Sequence, residues 1–231
     1  MKRYYSAALA MLVAMAAMIT PAHAALRVPQ VPVAGGTLQG YLSGTGETIN
    51  VLTDQQSIQR WKTTISGNSS ITLQIELSGN SGNNSIGVYN ATAGPVPSLY
   101  QIFPGSAPAG WFAVASFRSG GLLVVNLFNQ AGVPQSSVSY TGVTTTDFGY
   151  YLSGPGGTFY TQDSRQPGTN SAQALIFSGT GDNAGCWWMC FEDSPFATGD
   201  RDFDDAVLFL ESVNPTPVSQ TSWGKVKSLF R

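Results

Sequence analysis

The clearest pattern along the chain is a strict alternation of apolar and polar residues over positions 70–77. Apolar side chains stand at every second position from Ile71 to Leu77, with polar ones between them. A period of two places neighbouring side chains on opposite faces of a strand. The segment therefore predicts a half-buried β-strand, and the Ser-, Gly- and Asn-rich run 78–84 predicts a turn after it.

Many further short segments rich in apolar and aromatic residues predict strands, with Gly, Pro, Asn and Ser between them. They are residues 85–89, 99–103, 111–117, 121–128, 136–140, 148–152, 157–161, 172–178, 186–191 and 206–213. We interpret 25–46 as an extended leader with turns, and 49–61 as a short strand or a helical turn. No sustained helical period precedes the C-terminal tail. The pattern predicts an all-β fold, a single β-sandwich or jelly-roll-like domain over 25–213.

The first 24 residues have the layout of a secretory signal peptide. Lys2 and Arg3 precede an almost wholly apolar run over 7–19, and the triplet 22–24 places small residues at a cleavage site. The apolar run is too short for a membrane span, which needs about 20 residues. We expect cleavage after Ala24 and an exported protein that is secreted or periplasmic; the alternative is an N-terminal anchor helix.

The C-terminal segment 214–231 predicts a Pro-containing linker followed by a short amphipathic helical turn. Trp223, Val226 and Phe230 would share one face of that turn, opposite three cations. We expect this face to dock on the domain; the alternative is contact with a membrane surface.

Charged residues make up only 10% of the 231 residues, and apolar residues make up 42%. This composition excludes a disordered chain, and the net charge of -2 excludes a basic nucleic-acid footprint. Loss of Lys2 and Arg3 with the leader would leave 9 basic against 13 acidic residues, a net charge of -4. His23, the single histidine, would leave too, which excludes Ser-His-Asp or Cys-His catalysis and His-containing zinc sites.

Cys186 and Cys190 lie four positions apart in an apolar segment. Four residues of strand span about 13 Å, whereas a disulfide needs Cα atoms within about 7 Å. Strand geometry therefore favours two buried free thiols that share a face with Trp188. Trp187, Met189 and Phe191 would pack on the other face. A helical or bulged turn would instead allow a disulfide.

Acidic residues concentrate near the end of the chain, where only Arg201 opposes them. Seven of the 13 acids fall between positions 192 and 211: Glu192, Asp193, Asp200, Asp202, Asp204, Asp205 and Glu211. The Asp-x-Asp-x-Asp alternation from Asp200 is typical of a chain that wraps a hard cation such as calcium. The EF-hand loop is excluded, because its Gly position holds Asp205 and a strand pattern follows. The alternative is a solvated acidic turn whose side chains bond local amides.

Four segments resemble domain-of-unknown-function family 4114: residues 148–160, 174–177, 190–193 and 199–207. The resemblance covers about 145–213 and is carried best by the Phe-Glu-Asp and Gly-Asp-x-Asp-Phe-Asp-Asp motifs. It implies a β-sandwich of secreted or surface bacterial proteins, including calcium-dependent adhesins, whose acidic motifs meet around calcium. The ligands it implies are Glu192, Asp193, Asp200, Asp202 and Asp205. Asp204 ranks lower, because the family also accepts Asn there.

Three functions follow as hypotheses. The first is a secreted, non-enzymatic cell-surface or matrix module stabilised by structural calcium, with a surface glycan or protein as partner. The second is a carbohydrate-binding module that uses exposed aromatics: Trp61, Trp111, Trp187, Tyr150, Tyr151 and Tyr160. The third and least favoured is a glycoside hydrolase using two of Glu76, Glu192 and Glu211, since such enzymes need two carboxylates about 5–10 Å apart.

Overall fold

A computed structural model describes residues 25–64, 66–167 and 171–216. The predicted signal peptide and the tail from residue 217 onward lie outside the described residues. Within them the chain forms one α-helix, α1 (Thr37–Gly44), and thirteen strands. The strands are β1 (Trp61–Thr63), β2 (Asn68–Ile75), β3 (Ser85–Asn90), β4 (Leu99–Phe103), β5 (Phe112–Arg118), β6 (Leu122–Phe128), β7 (Pro134–Tyr140), β8 (Phe148–Gly154), β9 (Gly157–Tyr160), β10 (Ala174–Ser178), β11 (Trp187–Phe191), β12 (Ala206–Glu211) and β13 (Val213–Pro215).

The strands form two antiparallel sheets. One has the order β13-β1-β8-β3-β4, with β9 also paired to β8, and the other has the order β10-β11-β12-β2-β5-β6-β7. Alternate side chains of both sheets, such as Leu73 of β2 and Val88 of β3, meet in one buried apolar cluster, which we call the inter-sheet core. The predicted β-sandwich is confirmed.

The predicted strands match observed strands within two residues at each end, with one exception. The segment 206–213 divides at Ser212, whose φ of 60° turns the chain out of the sheet that contains β12. Residues before it pair with β11 and β2, whereas β13 pairs with β1 at the edge of the other sheet.

A β-bulge interrupts the alternation that predicted β2. Leu208 of β12 pairs with Leu73, but the adjacent Val207 pairs with Ile75, so that β2 has one extra residue. Ile71 and Leu73 lie in the inter-sheet core, whereas Ile75 packs against a cluster on the outer face. The predicted inward orientation of Ile75 is therefore wrong, and Leu77 lies beyond the strand and is 56% exposed.

The predicted extended leader contains helix α1, so this part of the sequence prediction is wrong. Residues 31–51, which we call the cap, cover the outer face of β10, β11 and β12. Cap and strands together enclose a second buried cluster, the outer core: Leu38, Leu42, Ile49, Val51, Ala172, Leu175, Phe177, Trp188, Cys190, Phe203 and Val207. Only two helical positions, Leu38 and Leu42, are buried. Glycines at positions 40 and 44 dilute the pattern further, which explains why periodicity did not reveal the helix.

Strand β11 is apolar on both faces, as predicted. Trp187, Met189 and Phe191 lie in the inter-sheet core, whereas Trp188 and Cys190 lie in the outer core. Both cysteines are free; Cys190 is buried, but Cys186 is only half-buried. Among the residues that the structure describes, no helix is long and apolar enough to cross a membrane.

Candidate metal centre

Six of the seven clustered acidic residues lie on one connection, residues 192–205, which we call the acidic loop; Glu211 lies at the end of β12. The acidic loop joins β11 to β12, and Phe191 pairs with Ala206 where the two strands meet. The two ends of the loop, Glu192 and Asp205, are therefore held side by side by the sheet. The backbone N–H of Asp193 donates to Oδ2 of Asp205 at 2.7 Å, which closes the base of the loop.

Four carboxylates of the acidic loop converge. One oxygen each from Glu192, Asp200, Asp202 and Asp205 lies within 4.8 Å of the other three. Calcium holds oxygens at 2.3–2.6 Å, so ligands on opposite sides of one ion stand up to about 5 Å apart. Glu192 and Asp205 are buried, Asp202 is half-buried and Asp200 is exposed. The two buried carboxylates form the base of the group, and Asp200 lies at its solvent-exposed rim. This arrangement fits a cation that enters from solvent.

Glu192 is the most unusual side chain of the group. It is fully buried, and neither of its carboxylate oxygens accepts a hydrogen bond of normal geometry. A buried carboxylate without a partner is strongly unfavourable, and proteins pair such groups or give them to a metal. Its Oε1 approaches Gly199 so closely that a Cβ at this position would stand 2.3 Å away. Gly199 thus makes room for the carboxylate.

Burial and mutual repulsion raise the pKa values of the two buried carboxyl groups of this set. The pKa of Glu192 rises to about 8, through burial and then the charges of Asp205, Asp200 and Asp202, with the Arg201 amide partly opposing the rise. The pKa of Asp205 rises to about 7, mainly through burial, although the Asp193 amide opposes it. Both groups would lose protons on binding a cation.

No side-chain cation in the described part of the chain neutralises this group. The two ion pairs found there, Arg27–Asp163 and Arg60–Asp147, do not involve the acidic loop. Arg201 turns away: its guanidinium lies 4.6 Å from the ring centre of Phe196, and its Nε donates to the Phe196 carbonyl at 3.1 Å. The four carboxylates therefore face one another without a compensating positive charge.

Two left-handed residues give the acidic loop its shape. Arg201 and Phe203 have φ values of 62° and 57°, a region that costs a non-glycine residue about 1 kcal/mol or more. The Phe203 side chain is fully buried in the outer core. The Arg201 carbonyl accepts a hydrogen bond from the backbone N–H of Ala34 at 2.9 Å. These contacts with the cap hold the loop in a conformation that the sequence pattern alone does not specify.

Two other acidic residues lie outside the group of four. The Asp193 carboxylate, which the family resemblance implied as a ligand, accepts hydrogen bonds from Ser78, from Asn80 at 3.1 Å and from Asn84 at 2.7 Å. Asp193 thus ties the turn after β2 to the acidic loop. Asp204, ranked lower from the sequence, is buried, and its backbone N–H donates to Asp202 Oδ1 at 3.3 Å.

Sequence reasoning missed Glu76 as a neighbour of this site. Its pKa rises to about 7 because of burial, and the charges of Asp193 and Asp205 add to the rise against a hydrogen bond from Asn84. Its Oε1 is buried and has no hydrogen-bond partner. The pairing of β2 with β12 brings Glu76 here, and nothing in a single sequence reveals that long-range pairing.

Most of the aromatic residues proposed for sugar stacking belong to the core. Trp61, Trp187, Tyr150 and Tyr151 are 0%, 7%, 1% and 3% exposed, so they present no stacking surface. Trp111 is half-buried and lines an open groove of about 660 Å³ with Asn129, Gln130 and three small residues. Tyr160 is half-buried too, on the outer sheet face beside Tyr89.

Of the three glutamates considered for a hydrolase, Glu192 and Glu211 lie far apart. Glu192 is buried beside the start of β12, and Glu211 is exposed at its end. Five residues of strand separate those ends by about 17 Å, well beyond the spacing that a glycosidase needs.

Comparisons with known proteins leave this chain without a family. No family model matches it, and no curated protein matches it. Two solved structures of congerin II variants, one a double mutant and the other a single mutant, have TM-scores of 0.19 with 14% and 13% identity. Each match covers 71% of this chain and 96% of the congerin chain. A TM-score of 0.19 is too low to carry an argument, so function rests on the residues of this chain.

Proposed function

We propose that this protein is an exported, non-enzymatic module of the cell surface or extracellular matrix that is stabilised by calcium bound in the acidic loop. Glu192, Asp200, Asp202 and Asp205 are the ligands. The observation that carries the proposal is the Glu192 carboxylate, which is fully buried, accepts no hydrogen bond of normal geometry and lies among three further carboxylates.

The donor set favours calcium over softer metals. All four groups offer hard oxygen ligands, and calcium accepts six to eight of these in flexible geometry. Water at the exposed rim and carbonyls of the loop complete such a shell. Zinc is disfavoured, because the single histidine lies in the predicted signal peptide and neither cysteine belongs to the acidic loop. The resemblance to family 4114 supports the same ion.

The ion acts structurally in this proposal. It neutralises carboxylates that otherwise repel one another and joins the two ends of a fourteen-residue connection. The predicted signal peptide supports a location outside the cytoplasm. The partner is a surface glycan or a protein.

Isothermal titration of calcium into the metal-free protein tests this function. The unaltered protein should bind one ion, and Glu192→Gln, which keeps the side-chain shape, should reduce the affinity by a hundredfold or more. Glu211→Gln is the matched control, because Glu211 is an exposed glutamate outside the site. Absence of binding by the unaltered protein, or equal binding by Glu192→Gln, would contradict the proposal.

A glycan-binding function is the second candidate, and the groove beside Trp111 favours it. The groove has no charged lining residue, and it combines an indole with the side-chain amides of Asn129 and Gln130. Aromatic faces stack on sugar rings, and amides bond hydroxyl groups, which suits a neutral glycan. Trp111→Ala should abolish binding to a hit from a neutral glycan array, whereas Tyr160→Ala should not. An array without any hit would remove this candidate.

A further inference from the structure

The acidic loop contacts the cap at several points next to the proposed ligands. The Arg201 carbonyl accepts from Ala34 N–H. A Cβ built on Gly35 would stand 4.0 Å from Cβ of Asp202. Phe203, directly after Asp202, is fully buried in the outer core together with Leu38 and Leu42 of α1. The residues that hold the cap are therefore interleaved with those proposed to hold the ion.

The cap has little stability of its own. Helix α1 has eight residues, contains Gly40, and has no side-chain hydrogen bond at its N-cap, Gly36. Helices this short are unstable in isolation and depend on tertiary packing. The packing partners of α1 are the outer faces of β10–β12 and the side chain of Phe203. Order in α1 thus depends in part on where the acidic loop places Phe203.

The loop conformation in turn depends on its charges. Four ionised carboxylates within 4.8 Å repel one another when no cation is bound. The left-handed conformations of Arg201 and Phe203 add to the cost of the closed loop. Opening of the loop would relieve both the repulsion and the backbone strain, and it would withdraw Phe203 and the Arg201 carbonyl from the cap.

We infer that the acidic loop is a cation-dependent clamp: the bound ion locks helix α1 of the cap over the outer core, and loss of the ion releases the helix. This inference rests on the proposed calcium site and adds a conformational consequence to it. Coupling between two sites is reciprocal. Substitutions in the cap that touch no ligand therefore weaken calcium binding, by the same factor by which calcium stabilises the docked cap.

Hydrogen exchange of the α1 amides, measured in calcium and in chelator, tests the clamp directly. Amides of residues 38–44 should exchange at least about tenfold more slowly in calcium, within the 5- to 150-fold range of ordinary allosteric coupling. In Glu192→Gln the exchange rates should be the same in both solutions. Equal protection of α1 in calcium and in chelator, with calcium binding shown by calorimetry, would overturn the clamp and leave the calcium function intact.

A pair of leucine variants tests the reciprocal effect. Leu42→Ala removes a fully buried cap side chain outside the acidic loop, and should weaken calcium binding about tenfold. Leu123→Ala is the control, because this equally buried leucine lies in the inter-sheet core on β6; its calcium affinity should stay unchanged. If Leu42→Ala fails to fold, Leu42→Val should shift affinity the same way by less. Unchanged affinity in the folded Leu42 variant contradicts the clamp, and absence of calcium binding by the unaltered protein removes clamp and function together.

Discussion

At the scale of single residues, the site depends on an unusual pairing of a buried glutamate with a glycine. The Glu192 carboxylate occupies space that any side chain at position 199 would fill. The backbone of Gly199 does not require a left-handed conformation, so its small size is the property that matters. Removing that space should affect ion binding more than folding, because the group displaced is the end of a side chain.

Gly199→Ala should therefore weaken calcium binding by tenfold or more while changing the thermal midpoint of the calcium-free protein little. The added Cβ would stand 2.3 Å from Oε1 of Glu192 and push the carboxylate off its position. Calcium titration by calorimetry measures the effect. Gly94→Ala is the control, since a Cβ there meets nothing within 4 Å. Equal affinity in both variants would show that Glu192 is not a ligand.

The raised pKa values of the site predict a pH dependence of the calcium-free protein. The pKa values of Glu192, Asp205 and Glu76 rise to about 8, 7 and 7 through burial and neighbouring carboxylates. The folded state then binds more protons than the unfolded state, whose carboxyl pKa values are about 4. The stability that these three groups contribute is thus largest at low pH and falls as pH rises through the folded values.

Urea midpoints of the calcium-free protein should accordingly be higher at pH 5 than at pH 8. Glu192→Gln removes the carboxyl group whose pKa is raised most and should reduce the change of the urea midpoint with pH. Saturating calcium should reverse the trend, because the ion competes with protons for the same oxygens. A calcium-free protein that is more stable at pH 8 than at pH 5 would contradict the placement of these carboxylates.

The sequence identified the acidic residues but did not show which of them lie together in the structure. Spacing and motif pointed to Asp200, Asp202 and Asp205, which the structure brings together with Glu192. Asp193 differs from its neighbours because three donors of the turn after β2 reach it. Those donors lie more than 100 positions away in the chain. Local spacing carries no information about such partners.

At the scale of elements, the cap is anchored by a second buried carboxylate, Glu47. It accepts hydrogen bonds from the backbone N–H and hydroxyl of Thr180, from Asn183 Nδ2 at 2.7 Å and from the indole Nε1 of Trp188 at 2.7 Å. Burial raises the pKa of Glu47, but these bonds outweigh it and hold the pKa below its usual value. Glu47 therefore joins the end of the cap to the β10–β11 hairpin as an ionised group.

Glu47→Gln should destabilise the protein by about 1–3 kcal/mol at pH 7, because charge-assisted hydrogen bonds are lost and an amide NH₂ meets N–H donors. A group with a lowered folded pKa stabilises above its unfolded pKa, and this stability disappears as pH falls through the folded value. The loss should therefore shrink toward pH 3. Urea unfolding measures it, with the exposed Glu211→Gln as control. A Glu47→Gln variant as stable as that control at pH 7 would show that the network contributes nothing.

Strands were easier to predict than the elements around them. Apolar segments with turn residues at their ends located β3, β4 and β6 closely. The cap helix was missed because two leucines among glycines make no periodic stripe. The bulge in β2 was missed because it depends on the register with β12, a strand more than 130 positions away.

At the scale of the whole molecule, the sandwich forms the frame and the acidic loop holds the proposed ion site. The inter-sheet core draws on strands of both sheets, whereas the outer core depends on the cap and on Phe203. Composition and strand pattern were sufficient to predict the sandwich. The dependence of the outer core on the cap was not predictable. It arises from the contact between residues 31–51 and a loop some 150 positions later.

Thermal unfolding with calcium and with chelator shows whether the acidic loop binds an ion that stabilises the fold. Calcium at a hundred times its dissociation constant should stabilise the protein by about 2.7 kcal/mol. For a domain of this size, that corresponds to a rise in midpoint of about 5–10 °C. Asp202→Ala should abolish the rise, and magnesium at the same concentration should not reproduce it. An unaltered midpoint in saturating calcium would contradict the account and reduce the acidic loop to a solvated turn.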